Sequence, residues 1–395
     1  MKAKALFALL IFLVFPLLSA CTTAELGELG LVMALGIDKD DAGYMATFQV
    51  LNPGAIASKS SVSESPFVLH SEKGNDLGEI ERRITAKVSK EMYFAHIRAV
   101  VIGEDLAAEG IKEILDYLFR SSHFRSDYYF IIAKGTTANK ILGTVTPIDS
   151  VSGMKLYSAI ENGKDWWAPT NSLKLVELVN DINAKGINPV LAGALIYQET
   201  EDMDSIKGLE KSRPAGLMFT ELGVFNDDKL VGWLDEQESL AYNNIVGKTV
   251  KSASWVDYDE NTHVSLDMRM KKPKIKVSLS NGKPVINVTL PAELIVAAIK
   301  GDVDFMDKTN LDKLHSLADE KMIDSCKKTL DKAQREFKTD IFGFGESIHR
   351  AYPKLWNELK DNWDTEFTQL QVSFTADTSI RDFGENLKPI IGEGK

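Results

Sequence analysis

An apolar run near the N-terminus stops at a cysteine, and this sets the terms on which the rest of the chain must fold. Lys2 and Lys4 supply positive charge, residues 5–18 are apolar, and Leu18-Ser19-Ala20-Cys21 closes the run with small residues. The run is too short to span a bilayer but suits the core of a cleaved leader. This is the pattern of a bacterial lipoprotein signal. Cleavage after Ala20 frees Cys21 for lipid attachment, and each acyl chain gains roughly 0.8 kcal/mol per buried methylene. A plain secretory leader would carry a cysteine at that position only by coincidence. Residues from Cys21 onward are therefore expected on the outer face of a membrane, burying their own core in water. The longest later apolar run, 291–299, is interrupted by Glu293 and is far short of a span.

With 44% hydrophobic and 26% charged residues among 395, the body has enough apolar side chains to fold and is too long for one core of ordinary size. Removing the two leader lysines takes the formal charge from −11 to −13. So acidic a body is a poor partner for nucleic acid. Of the two cysteines, lipidation consumes Cys21, so Cys326 has no disulfide partner. Cys326 lies in a helical pattern with Leu314, Met322, Leu330 and Phe337, which predicts a buried, inert thiol.

No metal or cofactor is expected. His70, His96, His123, His263, His315 and His349 show neither a close pair nor HExxH spacing. The run 38–43 resembles the start of a calcium loop, but Gln49 stands where a bidentate glutamate belongs, and the flanks read as strands. Ser152-Gly153-Met154-Lys155 and Ser325–Lys328 satisfy the S-x-x-K spacing of cell-envelope acyltransferases, yet no S-D-N or K-T-G follows. A G-x-S-x-G elbow is absent as well, so the chain is read as a non-enzyme.

Periodicity predicts an α+β, multi-domain chain of mixed β-sheets flanked by helices, with three domains. Strands are expected at 29–38, 44–50, 94–102, 128–133 and 190–197, and helices at 77–88, 106–119, 137–142 and 173–182. A serine-rich loop occupies 58–65. The hairpin 217–225/229–234 and a helix at 238–246 come next. Clean alternation follows over 262–270, then a strand with Ile275 and Val277, and Asn281-Gly282 turns the chain into 285–290. Helices at 310–338 and 346–359 precede a last strand at 370–375. The boundaries expected are a leader at 1–20, an N-terminal α/β domain at 21–198, a linker at 199–213, a small middle domain at 214–258, a C-terminal α+β domain at 259–385 and a tail at 386–395.

Several stretches carry a resemblance. Leu35-Gly36-Ile37-Asp38-Lys39-Asp40 followed by Thr47-Phe48-Gln49-Val50-Leu51-Asn52-Pro53 is similar to the N-terminal signature of the Ger(x)C family, the lipoprotein C subunits of bacterial spore germinant receptors. Asp116-Tyr117-Leu118-Phe119-Arg120, Leu230-Val231-Gly232-Trp233-Leu234 with Glu238-Ser239, and the run from Asp340 to Gly345 on through Trp356 and Trp363 resemble the family in the same order. After the cysteine, Thr22-Thr23-Ala24 departs from the aromatic and basic residues expected there. The resemblance implies a three-domain α+β lipoprotein on the outer face of the spore inner membrane. It would assemble with integral membrane A and B subunits into a receptor that starts germination when nutrients appear. It implies no catalytic residue.

Two clusters are candidate partner or membrane surfaces. Trp166-Trp167 could stack on a sugar or fill a partner's pocket. The basic run Arg269, Lys271, Lys272, Lys274 and Lys276 could meet anionic headgroups or an acidic partner. The alternative class, a solute-binding lipoprotein, would need a ligand-sized cleft between lobes.

Overall fold

A computed structural model describes residues 28–41, 43–57, 65–163, 170–210 and 213–382. Cys21, the serine-rich loop 58–64, Trp166, Trp167 and the tail lie outside them. The fold is α+β, built on two mixed sheets.

The larger sheet has the order β3-β2-β1-β5-β6-β7-β8-β9, with β4 (Glu91–Tyr93) beside the start of β1. Its centre is parallel: β1 (Leu29–Asp40), β5 (Ala99–Gly103), β6 (Tyr129–Ala133) and β7 (Val190–Tyr197). Antiparallel strands finish both sides, β2 (Gly43–Leu51) and β3 (Phe67–Gly74) on one and β8 (Gly216–Asn226) and β9 (Lys229–Leu234) on the other. After the short α1 (Pro53–Ala57), helices α2 (Leu77–Ile84), α3 (Glu104–Glu109), α4 (Lys112–Arg120) and α7 (Leu175–Asn183) cover one face. Helices α5 (Ala138–Gly143) and α6 (Ser152–Gly163) cover the other. Buried on both faces, β5 and β6 are apolar at every position, as parallel strands are.

The smaller sheet has the order β10-β11-β13-β12, with β14 on the free side of β13. Strands β11 (His263–Met270) and β12 (Lys274–Ser280) form one long arm of a hairpin whose other arm is β13 (Lys283–Lys300). Asn281 and Gly282, both at positive φ, make the turn, as the Asn-Gly pair predicts. Strand β10 (Lys251–Asp257) pairs with β11, and β14 (Gln371–Asp382) runs parallel to β13. Between β13 and β14 come α9 (Lys308–Lys332), α10 (Phe344–Ala351), α11 (Pro353–Leu359) and α12 (Trp363–Thr368). Among the described residues, helices cover only the inner face of this sheet, namely α9 and α8 (Glu236–Val246). Its strands alternate accordingly: Val264, Leu266 and Met268 are buried while Asp267 and Arg269 are exposed.

One buried cluster joins the two sheets, running from Val190, Ala192, Leu222 and Val224 to Leu266, Leu290 and Phe374. Among the described residues, the buried clusters lie between Val32 and Phe374. The stretch 214–258 supplies β8 and β9 to the large sheet and β10 to the small one.

Three predicted elements differ. The helix expected over 106–119 breaks at Gly110, whose φ of 132° leaves Ile111 N–H free to donate to the Asp228 carbonyl. The one expected over 346–359 is two helices, because Pro353 cannot continue the ladder of the first. Residues 94–96 form a 3-10 turn rather than strand. Helix α6 and strand β10 were not predicted.

Candidate functional site

The motif residues that carry the resemblance are mostly buried and bonded. Asp38, at the end of β1, accepts the Ala138 and Asn139 N–H groups at 2.7 and 2.9 Å, so it caps α5. Burial raises its pKa, against those two bonds. Gly36 lets the same helix approach: a Cβ there would lie 3.0 Å from Leu142 Cδ1 and 3.2 Å from Ala138 Cβ. Gln49 donates to the Leu142 carbonyl (2.9 Å) and Ser152 Oγ (2.6 Å) and accepts the Gly153 N–H (3.1 Å). It thereby ties the end of α5 to the start of α6. Trp233 donates its indole N–H to Glu104 (2.7 Å) and lies over Gly193, where a Cβ could not fit.

Asp340 is the centre of the C-terminal motif. Fully buried, it accepts N–H groups from Phe342, Gly343 and Gly345 at 2.8 to 3.0 Å and the Trp363 indole N–H at 3.1 Å. Burial outweighs these donors and raises its pKa to about 6. Its carbonyl accepts the Asn188 N–H at 2.7 Å, and Glu346 donates to the Gly186 carbonyl at 3.2 Å. A Cβ on Gly345 would lie 2.6 Å from Gly186 Cα, so two glycines let the halves of the molecule touch backbone to backbone.

The motif at 116–120 behaves differently. Leu118 is buried and Tyr117 bonds Glu81, but Phe119 is 58% exposed. With Leu115, Val179 and Ile182 it lines an apolar groove of about 520 Å³ between α4 and α7, bordered by Lys112 and Arg120. Val176, 45% exposed, lies on the same helix as Val179 and Ile182. The sequence offered a signal here that went unread: α7 carries apolar residues beyond those its own core needs, since Leu175 and Leu178 alone are fully buried.

The basic run is exposed throughout. Arg269 ends the outer face of β11, Lys271 and Lys272 lie between β11 and β12, and Lys274 and Lys276 alternate outward along β12. Lys271 pairs with Glu293 at 2.8 Å.

The S-x-x-K serines are not nucleophiles. Ser152 is buried and donates to the Leu142 carbonyl at 2.7 Å, while Ser325 donates to the Lys321 carbonyl within α9. Burial pushes the Cys326 thiol up to about 12, so it stays protonated. Asp38, Lys39 and Asp40 are paired with β2 at the end of β1, and among the described residues no group of three or more His, Cys, Asp and Glu could hold a metal ion. Nor, among those residues, is any helix long and apolar enough to cross a membrane.

Known proteins match along the whole fold. The family described as "Spore germination protein N-terminal domain" matches residues 23–194, and that described as "Spore germination B3/ GerAC like, C-terminal" matches 220–384. Spore germination protein KC of Bacillus subtilis is 29% identical, over 99% of this chain and 98% of that protein. Spore germination protein B3 of the same organism is 23% identical over 97% and 99%. The crystal structure of the GerBC protein superposes with a TM-score of 0.54 at 20% identity, covering 88% of this chain and 96% of that one, and so shares the fold. Strands β7 and β8 pair across the gap between the two matched stretches, which makes them parts of one architecture. The motifs, their order and these matches agree, and the chain belongs to the Ger(x)C family of spore germination proteins.

Proposed function

We propose that this protein is the non-catalytic, lipid-anchored C subunit of a nutrient germinant receptor. Cys21 carries the lipid, the body stands on the outer face of the spore inner membrane, and integral membrane A and B subunits are its partners. The observation that carries this reading is the end-to-end likeness to spore germination protein KC, across both matched stretches. The physical features agree with it. A described body without a membrane-crossing helix needs another hold on the membrane, and the Leu18–Cys21 pattern supplies one. Burial of Ser152 and the bond of Ser325 to its own helix backbone argue against an acyltransferase. The hollow between α8, β10 and α9 measures about 60 Å³, room for a few waters rather than a nutrient, which disfavours solute capture there. The open groove at Phe119 suits contact with another protein, because an exposed aromatic beside aliphatic side chains gains most when a partner covers it.

Replacing Cys21 by alanine tests the anchor. Lipid labelling and membrane retention should both be lost, and germination in response to nutrients should fall with them. Unchanged membrane retention would overturn the anchoring, and failure to co-purify with A and B subunits from detergent-solubilised spore membranes would overturn the receptor assignment.

A further inference from the structure

Among the described residues nothing covers the outer face of the small sheet, and the fold gathers on it more positive charge than the basic run alone contains. Met270 donates to the Val250 carbonyl at 3.0 Å, and Lys251 stands opposite Arg269 in the β10–β11 register. This brings Lys251, from a separate segment, beside Arg269. Lys274 and Lys276 extend the stripe along β12, and every one of these side chains is exposed.

A bulge adds to the concentration. Met270 pairs with Ala292 but Lys274 with Thr289, so three residues of one arm oppose two of the other. In a regular strand Lys271 and Lys272 would point to opposite faces; at the bulge both reach solvent. Glu293, paired with Lys271, Asp267 on β11 and Asp377, exposed on β14 opposite Pro291, are acids of the same face, so the stripe keeps a net positive charge on a body that is otherwise acidic.

We propose that this stripe lies on the anionic headgroups of the membrane that holds the protein, a second contact besides the lipid. The inference rests on the membrane location proposed above. Three features favour lipid over an acidic protein. All but one of the cations are lysines, which act as point charges on a diffuse negative surface, whereas protein hot spots favour arginine and aromatics. Residues 247–251 and 269–276 contain no aromatic side chain. The tether is also short: from Cys21 to Leu29 the chain reaches at most about 28 Å, roughly half the ~50 Å width of a body this size. Such a tether holds the body as a whole at high effective concentration beside the headgroups. The acids elsewhere do not cancel the attraction, because at 0.1 M salt charges more than about 10 Å from the surface are screened.

The test uses the body from Thr22 to Lys395, which lacks Cys21, so its outcome is independent of whether that cysteine is lipidated. Sedimentation with phosphatidylglycerol vesicles should exceed that with phosphatidylcholine vesicles and should weaken with salt. Replacing Lys251, Arg269, Lys272 and Lys274 by glutamine should lower vesicle binding by about tenfold or more. The same change at Lys308, Lys327, Lys328 and Lys354, exposed cations elsewhere, should leave it unchanged. Equal loss in both variants, or equal binding to both vesicle types, would overturn the proposal. So would vesicle binding that ignores the stripe while co-purification of a membrane subunit is lost, which would assign the stripe to an acidic protein surface instead.

Discussion

The two sheets of this protein obey the same pairing rules and face opposite situations. In the large one, Ala99 and Val101 point into the helices on one side while Val100 and Ile102 point into those on the other, so its central strand β5 is covered on both faces. In the small one, every second residue of β14 from Gln371 to Ser379 is exposed, as are Asp267 and Arg269 on β11 and Lys274 and Lys276 on β12. A sheet closed on both faces can only be scaffold. A sheet open on one face can meet something else, and here that face carries lysines.

That contrast can be broken by measuring stability. Phe130 in β6 is fully buried, and Phe130→Ala should cost about 3–5 kcal/mol in denaturant unfolding. Lys276→Ala, on the open face, should stay within about 0.5 kcal/mol. Comparable losses at the two positions would mean that the outer face of the small sheet is covered after all.

The seam between the sheets gives a pH-dependent test. Asp340, raised from 3.8 to about 6 by burial, binds its proton more tightly in the folded chain than in the unfolded one. Its contribution to stability is therefore full below pH 3.8 and is lost as pH rises through about 6. Asp181, on α7, is raised to about 6 by burial and by Glu177, and acts in the same window. The stability of the native chain minus that of Asp340→Asn should fall between pH 4 and 6. A difference that does not vary with pH would show that the donors around Asp340 hold it at an ordinary carboxylate value.

The smallest expected change in stability sharpens the comparison most. Phe119→Asp, at the groove between α4 and α7, should shift unfolding by no more than about 0.5 kcal/mol, since the ring is already more than half exposed. Co-purification of the membrane subunits should nevertheless drop. A large loss of stability would make Phe119 part of the core, and intact co-purification would place the partner contact elsewhere.

Much of the fold was legible because burial leaves a period in the sequence. The alternation of Val264, Leu266 and Met268 located β11, and the Asn281-Gly282 pair located its turn. The unbroken apolar run at 128–133 marked a strand covered on both faces. Helix α6 escaped because its apolar stripe is thin: Leu156 and Ile160 are its only large buried apolar side chains, and Ser152 and Gly153 fill the rest of the contact. Strand β10 escaped because its buried partners include Ser252 and its outward face includes Trp255, which inverts the usual pattern.

The chain by itself determined the leader pattern, the α+β class and the residues of the basic run, since each depends on neighbours along the sequence. Tertiary structure decided what the motif polar residues do, because the Asp38 carboxylate and the Gln49 amide meet their partners about a hundred residues away. It also decided that Gly186 faces Gly345, that Phe119 is more than half exposed, and that Lys251 joins a stripe begun at Arg269. Backbone approach, exposure and the summation of charge depend on distance in space, which spacing in the sequence does not record.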